Sequence, residues 1–168
     1  MKEKIDNLRN FGFSDEITVD EPGINSKMDE IRAAYGLVNL KQVDRAIDNR
    51  KKIAIKYREE LQHINGIRFL QNLSGVKHNY SYFPIFIDEK QYGMNRDELF
   101  AKLKSQNIFA RRYFYPLISD FTPYKNYPSA RAENLPVATK LAQQVLCLPM
   151  YADLTESEVM HVIEVVRR

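Results

Sequence analysis

Residues 41 to 64 carry the strongest periodic signal in the chain. Val43, Ile47, Ala54, Tyr57, Leu61 and Ile64 recur at spacings of three, four or seven, with Arg, Lys and Glu between them. Side chains three and four apart share one face of a helix. The stretch therefore predicts a long amphipathic helix, and its single apolar stripe must be buried against another layer. Asn65-Gly66 then turns the chain.

The remaining elements follow from caps, turns and apolar runs. Residues 2 to 10 read as the end of a helix with Ile5 and Leu8 on one face, and Gly12 is placed to end it. Residues 14 to 24, acidic and containing Pro22 and Gly23, read as a loop. Ser26 with Asp29 resembles a capping box, so a helix is expected from there towards Leu40, with Met28, Ile31, Ala34, Tyr35 and Val38 as packing positions. Strands are expected at 67–70, at 80–87 with Pro84 marking an edge or a bulge, and at 107–115. Asn95 with Glu98 marks a helix start, with Leu99, Phe100 and Leu103 as its stripe. Residues 116 to 134 read as an ordered loop, and Pro136 suits the first turn of a short helix to Gln144. Val145 to Pro149 reads as a buried strand. Thr155 with Glu158 opens a last helix carrying Val159, Val162, Ile163 and Val166. Helices and strands are interspersed around a small sheet, which indicates an α+β or α/β sandwich.

Bulk properties narrow the function classes. The chain has 168 residues, the size of one ordinary domain, with 44% hydrophobic and 28% charged residues. A net charge of +3 is too weak and too dispersed for a nucleic-acid binder. The densest basic run, Arg50-Lys51-Lys52, reads as a solvated helix face. No stretch approaches a membrane span and the N-terminus has no signal-peptide pattern, so a cytoplasmic protein without nucleic-acid or membrane partners is expected. Cys147 is the single cysteine and sits in an apolar run, where a small core residue is the expectation over a catalytic thiol. His63, His78 and His161 lack metal-ligand spacing, His63 and His161 reading as exposed helix residues and His78 as a loop residue, so no metal is expected. There is no Gly-rich phosphate loop and no nucleophile elbow. Composition and spacing reach no further than a mixed helix-and-strand domain.

Several ordered strings go further. Leu8-Arg-Asn-Phe-Gly12 precedes Gly23-Ile-Asn-Ser-Lys-Met28, then Ala33-Ala34. Arg50 stands seven residues before Tyr57; Arg111-x-x-Phe-x-Pro-Leu117 and Leu135-Pro-Val-Ala138 follow; Leu148-Pro-Met-Tyr151 comes with Leu154-Thr155. Together, over nearly the whole chain, they resemble the DegT/DnrJ/StrS family of pyridoxal-phosphate sugar aminotransferases, nearest to those acting on nucleotide-linked keto-deoxy sugars.

The resemblance implies the C-terminal small domain of a fold-type I aminotransferase, with long helices packed on a small, mainly antiparallel sheet. It implies a remnant of the large domain and a connecting loop at 1–24, and the small domain with its interdomain helix at 25–168. It further implies a homodimer that uses pyridoxal phosphate, takes glutamate as amino donor and a nucleotide sugar as acceptor, and serves surface polysaccharide synthesis. In the family a lysine holds the cofactor as a Schiff base; the matching motif is not in these residues, so no catalytic residue is assigned. The chain alone is expected to be inactive and to bind no cofactor. Met1 falls where the pattern would be mid-helix, which favours a truncation. The other reading is a non-catalytic oligomerisation or regulatory module derived from such an enzyme.

By the same resemblance Asn25 reaches the cofactor phosphate of the partner subunit; the plainer role for Asn25 or Ser26 is a helix cap. Lys27 is assigned to phosphate or nucleotide, against a solvated lysine. Arg111 and Tyr113 are assigned to a wall over the substrate, Arg111 because a guanidinium holds carboxylate or phosphate by two parallel bonds. The plainer role for both is strand packing.

Overall fold

A computed structural model describes residues 1–167 of the chain. It forms two compact units, Met1–Val43 and Asp44 onward.

In the first unit, helix α1 (Lys2–Leu8) and helix α2 (Glu30–Leu40) are separated by a folded-back loop. Backbone bonds tie the loop: the Phe11 N–H donates to the Ile24 carbonyl at 3.1 Å, Ile24 to Leu8 at 2.9 Å and Ser26 to Arg9 at 2.9 Å. The close approach requires glycine. Gly12 has φ +86°, and a Cβ there would stand 1.7 Å from the Glu21 carbonyl oxygen; one on Gly23 would stand 2.2 Å from the Gly12 nitrogen. Helix α2 starts later than Ser26 suggests. Its cap is Asp29, whose carboxylate accepts from the Arg32 N–H at 2.8 Å. The Ser26 backbone is already held by Arg9, so the Ser26–Asp29 pair is not a capping box.

The second unit contains the core. Helix α3 (Val43–Leu61) buries Ile53, Ala54, Tyr57 and Leu61; Val43, at the stripe's start, is exposed. Strands β1 (Ile67–Phe69) and β2 (Phe83–Ile87) lead to helix α4 (Glu89–Tyr92) and helix α5 (Arg96–Ser105). Three 3-10 turns occupy the loop at 116–134, followed by helix α6 (Pro136–Gln144), strand β3 (Val145–Leu148) and helix α7 (Glu156–Arg167). The sheet is fully antiparallel with β2 in the centre. Against it pack Leu99 and Leu103 of α5 and Val159, Val162, Ile163 and Val166 of α7. Capping boxes at Asn95–Glu98 and Thr155–Glu158 start these two helices as expected.

Two expectations fail in the sheet. Pro84 lies in the central strand. Its partner Cys147 exchanges both backbone bonds with Arg111, at 2.7 and 2.9 Å, so the Pro84–Cys147 pair exchanges none. The proline nitrogen therefore faces the β1 side, beyond Phe69, the last β1 residue in register, and no ladder bond is lost. The expected strand at 107–115 does not form either: Ile108 and Ala110 are buried, and the only pairing is the single Arg111–Cys147 bridge.

Two tyrosine hydroxyls fasten the layers. Tyr57, fully buried, donates to the Pro149 carbonyl at 3.1 Å, and Tyr92 donates to the Val166 carbonyl at 2.5 Å. Burial pushes the Tyr57 phenol well above its usual value and Tyr92 up to about 12. Cys147 is buried in β3 and burial pushes its thiol up to about 11, the behaviour of an inert core residue.

Candidate functional site

Asn25 and Lys27 belong to the first unit. Asn25 pairs with Asn10 as an isolated antiparallel bridge, which fixes its backbone and leaves its side chain exposed. Because α2 begins only at Glu30, Asn25 neither caps a helix nor gains from a helix terminus. What it offers is its own amide. Lys27 is exposed, with its ammonium 5.9 Å from the centroid of the Phe11 ring. An amide donor two residues from an ammonium suits one edge of a phosphate.

Arg111 and Tyr113 belong to the second unit, which brings them into contact. The pair of backbone hydrogen bonds with Cys147 fixes the Arg111 backbone on the outer edge of β3. Its guanidinium Nη1 donates to the Tyr113 hydroxyl at 2.8 Å and stands 5.6 Å from that ring's centroid. Tyr113 meets Tyr82 and Phe114 edge to face, at 5.2 and 4.8 Å. Residues 111–116 with Ile118 and Phe121 line a cleft of about 450 Å³. Among the described residues Arg111 enters no ion pair, whereas Arg112 is paired with Asp97 at 2.9 Å. An exposed, oriented guanidinium beside aromatic walls suits an anion carrying a flat ring.

Behind this segment stands a cluster that sequence reasoning missed. Arg96 is 3% exposed. Its Nη1 donates to the Ala142 carbonyl at 2.6 Å and its Nη2 to Asp97 Oδ2 at 3.0 Å. Its Nε lies 2.9 Å from Asp97 Oδ1 as an ion pair without hydrogen-bond alignment. Its guanidinium carbon is 4.3 Å from the Tyr115 ring centroid, and that of Arg112 is 4.6 Å from the Phe100 centroid. The Arg96 hydrogen bond, helped by Arg112, holds the Asp97 carboxyl below its usual range. One signal was available: a cation in a helix's first turn opposes the helix dipole, so an arginine there needs a partner.

Among the described residues no group of three or more His, Cys, Asp or Glu could hold a metal ion, and no helix is long and apolar enough to cross a membrane.

A family model described as the DegT/DnrJ/EryC1/StrS aminotransferase family matches residues 1–167. The chain is 48% identical over 161 residues to a dTDP-4-amino-4,6-dideoxy-D-glucose transaminase of Escherichia coli, covering 96% of this chain and 43% of that protein. It is 42% identical over 167 residues to the Shigella dysenteriae protein of the same name, covering 99% and 45%. The fold matches the crystal structure of S. venezuelae DesV in complex with a ketimine intermediate, with a TM-score of 0.83 and 26% identity, over 99% of this chain and 43% of that one. The chain thus spans less than half the length of the curated relatives it matches.

Proposed function

Because this chain belongs to the DegT/DnrJ/EryC1/StrS aminotransferase family, we propose that it is the C-terminal part of a pyridoxal-phosphate-dependent transaminase acting on a nucleotide-linked deoxy sugar. The observation that carries this reading is the family match along residues 1–167, with relatives at 48% and 42% identity bearing one sugar-transaminase name. That name points to an amine at C4 of a dTDP-linked dideoxyglucose, so the acceptor is the corresponding C4 ketone. Glutamate is the amino donor, leaving as 2-oxoglutarate, and the amino sugar serves surface polysaccharide synthesis.

Bound pyridoxal phosphate supplies the electron sink for moving an amino group. Within this chain Asn25 donates its side-chain amide to the cofactor phosphate of the partner subunit in a homodimer, and Lys27 adds positive charge on the same stretch. Arg111 meets the substrate's anionic group, oriented by the Tyr113 hydroxyl, while the aromatic wall packs on its flat parts. Residues 1–24 continue the large domain, and residues from 25 onward form the small domain with its interdomain helix.

The test is an assay of the complete polypeptide with pyridoxal phosphate, glutamate and the dTDP-linked 4-keto-6-deoxy sugar. Release of 2-oxoglutarate in step with the amino sugar is expected. A complete polypeptide that assembles but turns nothing over would instead support a non-catalytic oligomerisation module.

A further inference from the structure

We propose that Arg96 and Asp97 are positioning residues for the substrate-facing segment. In this arrangement buried Arg96 grips Asp97 and the Tyr115 ring, Asp97 grips Arg112, and the linkage sets where Arg111 and Tyr113 stand. The proposal rests on the reading of Arg111 and Tyr113 as substrate contacts.

A guanidinium removed from water must be compensated by well-placed partners, and an apolar side chain of similar volume would fill the space at less cost. Arg96 does what an apolar side chain cannot. It ties α5 to the Ala142 carbonyl of α6 at 2.6 Å, to Asp97 at 3.0 Å and to the Tyr115 face at 4.3 Å. The segment it holds is otherwise anchored by Tyr113 on Tyr82 and by Arg112 over Phe100. Beyond the single Arg111–Cys147 bridge it belongs to no sheet. Its two ends are held by backbone bonds at Arg111 and by the side chains of Arg112 and Tyr115 on the Arg96–Asp97 pair. Tyr113 lies between them, its hydroxyl in contact with the Arg111 guanidinium. Side chains held this way reach a ligand already ordered, which lowers the entropy cost of binding.

Asp97→Asn tests the linkage, because it keeps the shape, removes the charge and lies on a side chain that is 54% exposed. The measurements on the complete polypeptide are the calorimetric Kd for dTDP, the melting temperature and kcat at saturating sugar. Asp97→Asn is expected to weaken dTDP binding about tenfold, the scale on which losing a partner that orients a ligating side chain acts. kcat at saturating sugar should stay close to the parent's, while the melting temperature falls because buried Arg96 loses its counter-charge. Arg111→Ala should also weaken binding, and Asp97→Asn added to it should weaken it no further, since Asp97 acts through the segment that carries Arg111. An unchanged Kd in Asp97→Asn, with or without a lower melting temperature, overturns the proposal while leaving the substrate reading intact. Losses that simply add in the double variant overturn it too. An unchanged Kd in Arg111→Ala would sink the substrate reading itself, and the linkage with it.

Discussion

Helices α2 and α3 are both amphipathic, yet α3 buries Ile53, Ala54, Tyr57 and Leu61 and α2 buries nothing. Ile31 and Tyr35 of α2 are 82% and 71% exposed, and Met28, just ahead of it, is 66% exposed. The unit carrying α2 is held instead by backbone bonds between its 8–12 and 20–26 stretches. The unit carrying α3 is held by a continuous apolar core that α5, α7 and the sheet all share. An apolar stripe thus requires a cover without saying which chain supplies it. An uncovered apolar stripe of this kind is the mark of a contact surface. The second unit has a continuous core of its own, and the first leaves its apolar stripe exposed.

The contrast can be broken by mutation. Leu103 is fully buried, and Leu103→Ala is expected to lower the stability of the second unit by about 3–5 kcal/mol through lost burial and a residual cavity. Ile31→Ala should change the stability measured by urea unfolding by less than about 0.5 kcal/mol. Equal losses would mean that the two units share one core.

Alkaline unfolding probes the second unit alone. Cys147 is raised from 9.0 to about 11 and Tyr92 from 10.0 to about 12 by burial. A raised pKa means that the stability is fully present below the unfolded value and is lost as pH rises through the folded one. The urea midpoint should hold up to about pH 9, then fall as the unfolded thiol ionises while the buried one stays protonated. Two units on Cys147 correspond to roughly 2–3 kcal/mol by pH 11. A flat midpoint from pH 8 to 11 would show that the buried thiol is no more protonated than a free one.

In the first unit, the cofactor contact proposed for Asn25 should separate from stability as well. In the complete polypeptide, Asn25→Ala should weaken pyridoxal-phosphate retention by about 1.5–3 kcal/mol, one charge-assisted hydrogen bond, with the melting temperature unmoved. Lower melting with unchanged retention would make Asn25 a structural residue of its bridge. Tyr57→Phe, which removes the bond to the Pro149 carbonyl, should cost about 1–1.5 kcal/mol of stability. No loss would mean that another donor reaches that carbonyl.

What the sequence disclosed tracks how local each signal is. The Asn95–Glu98 and Thr155–Glu158 boxes were legible because cap and partner lie within one turn. The Ser26–Asp29 pair misled because Arg9, seventeen residues earlier, takes the Ser26 N–H. The aromatic run at 107–115 has the composition of a strand, yet pairing needs a partner, and β3 offers its outer edge at one residue only. Pro84 sits in a central strand because β1 stops at Phe69, which no local pattern records. At the site, Arg111 and Tyr113 were legible as an arginine-aromatic pair. The Arg96–Asp97–Arg112 linkage was not, because it joins side chains fifteen residues apart in the chain.

Sedimentation equilibrium of the 168-residue chain, beside its Ile31→Asp variant, tests the division most directly. Association that strengthens with concentration is expected for the parent chain, as the exposed α2 stripe finds cover on a second copy, and the variant should stay monomeric with an unchanged melting temperature. A parent chain that remains a single monomeric species at the highest concentration would contradict it, and would mean that residues 1–43 find their cover within their own chain.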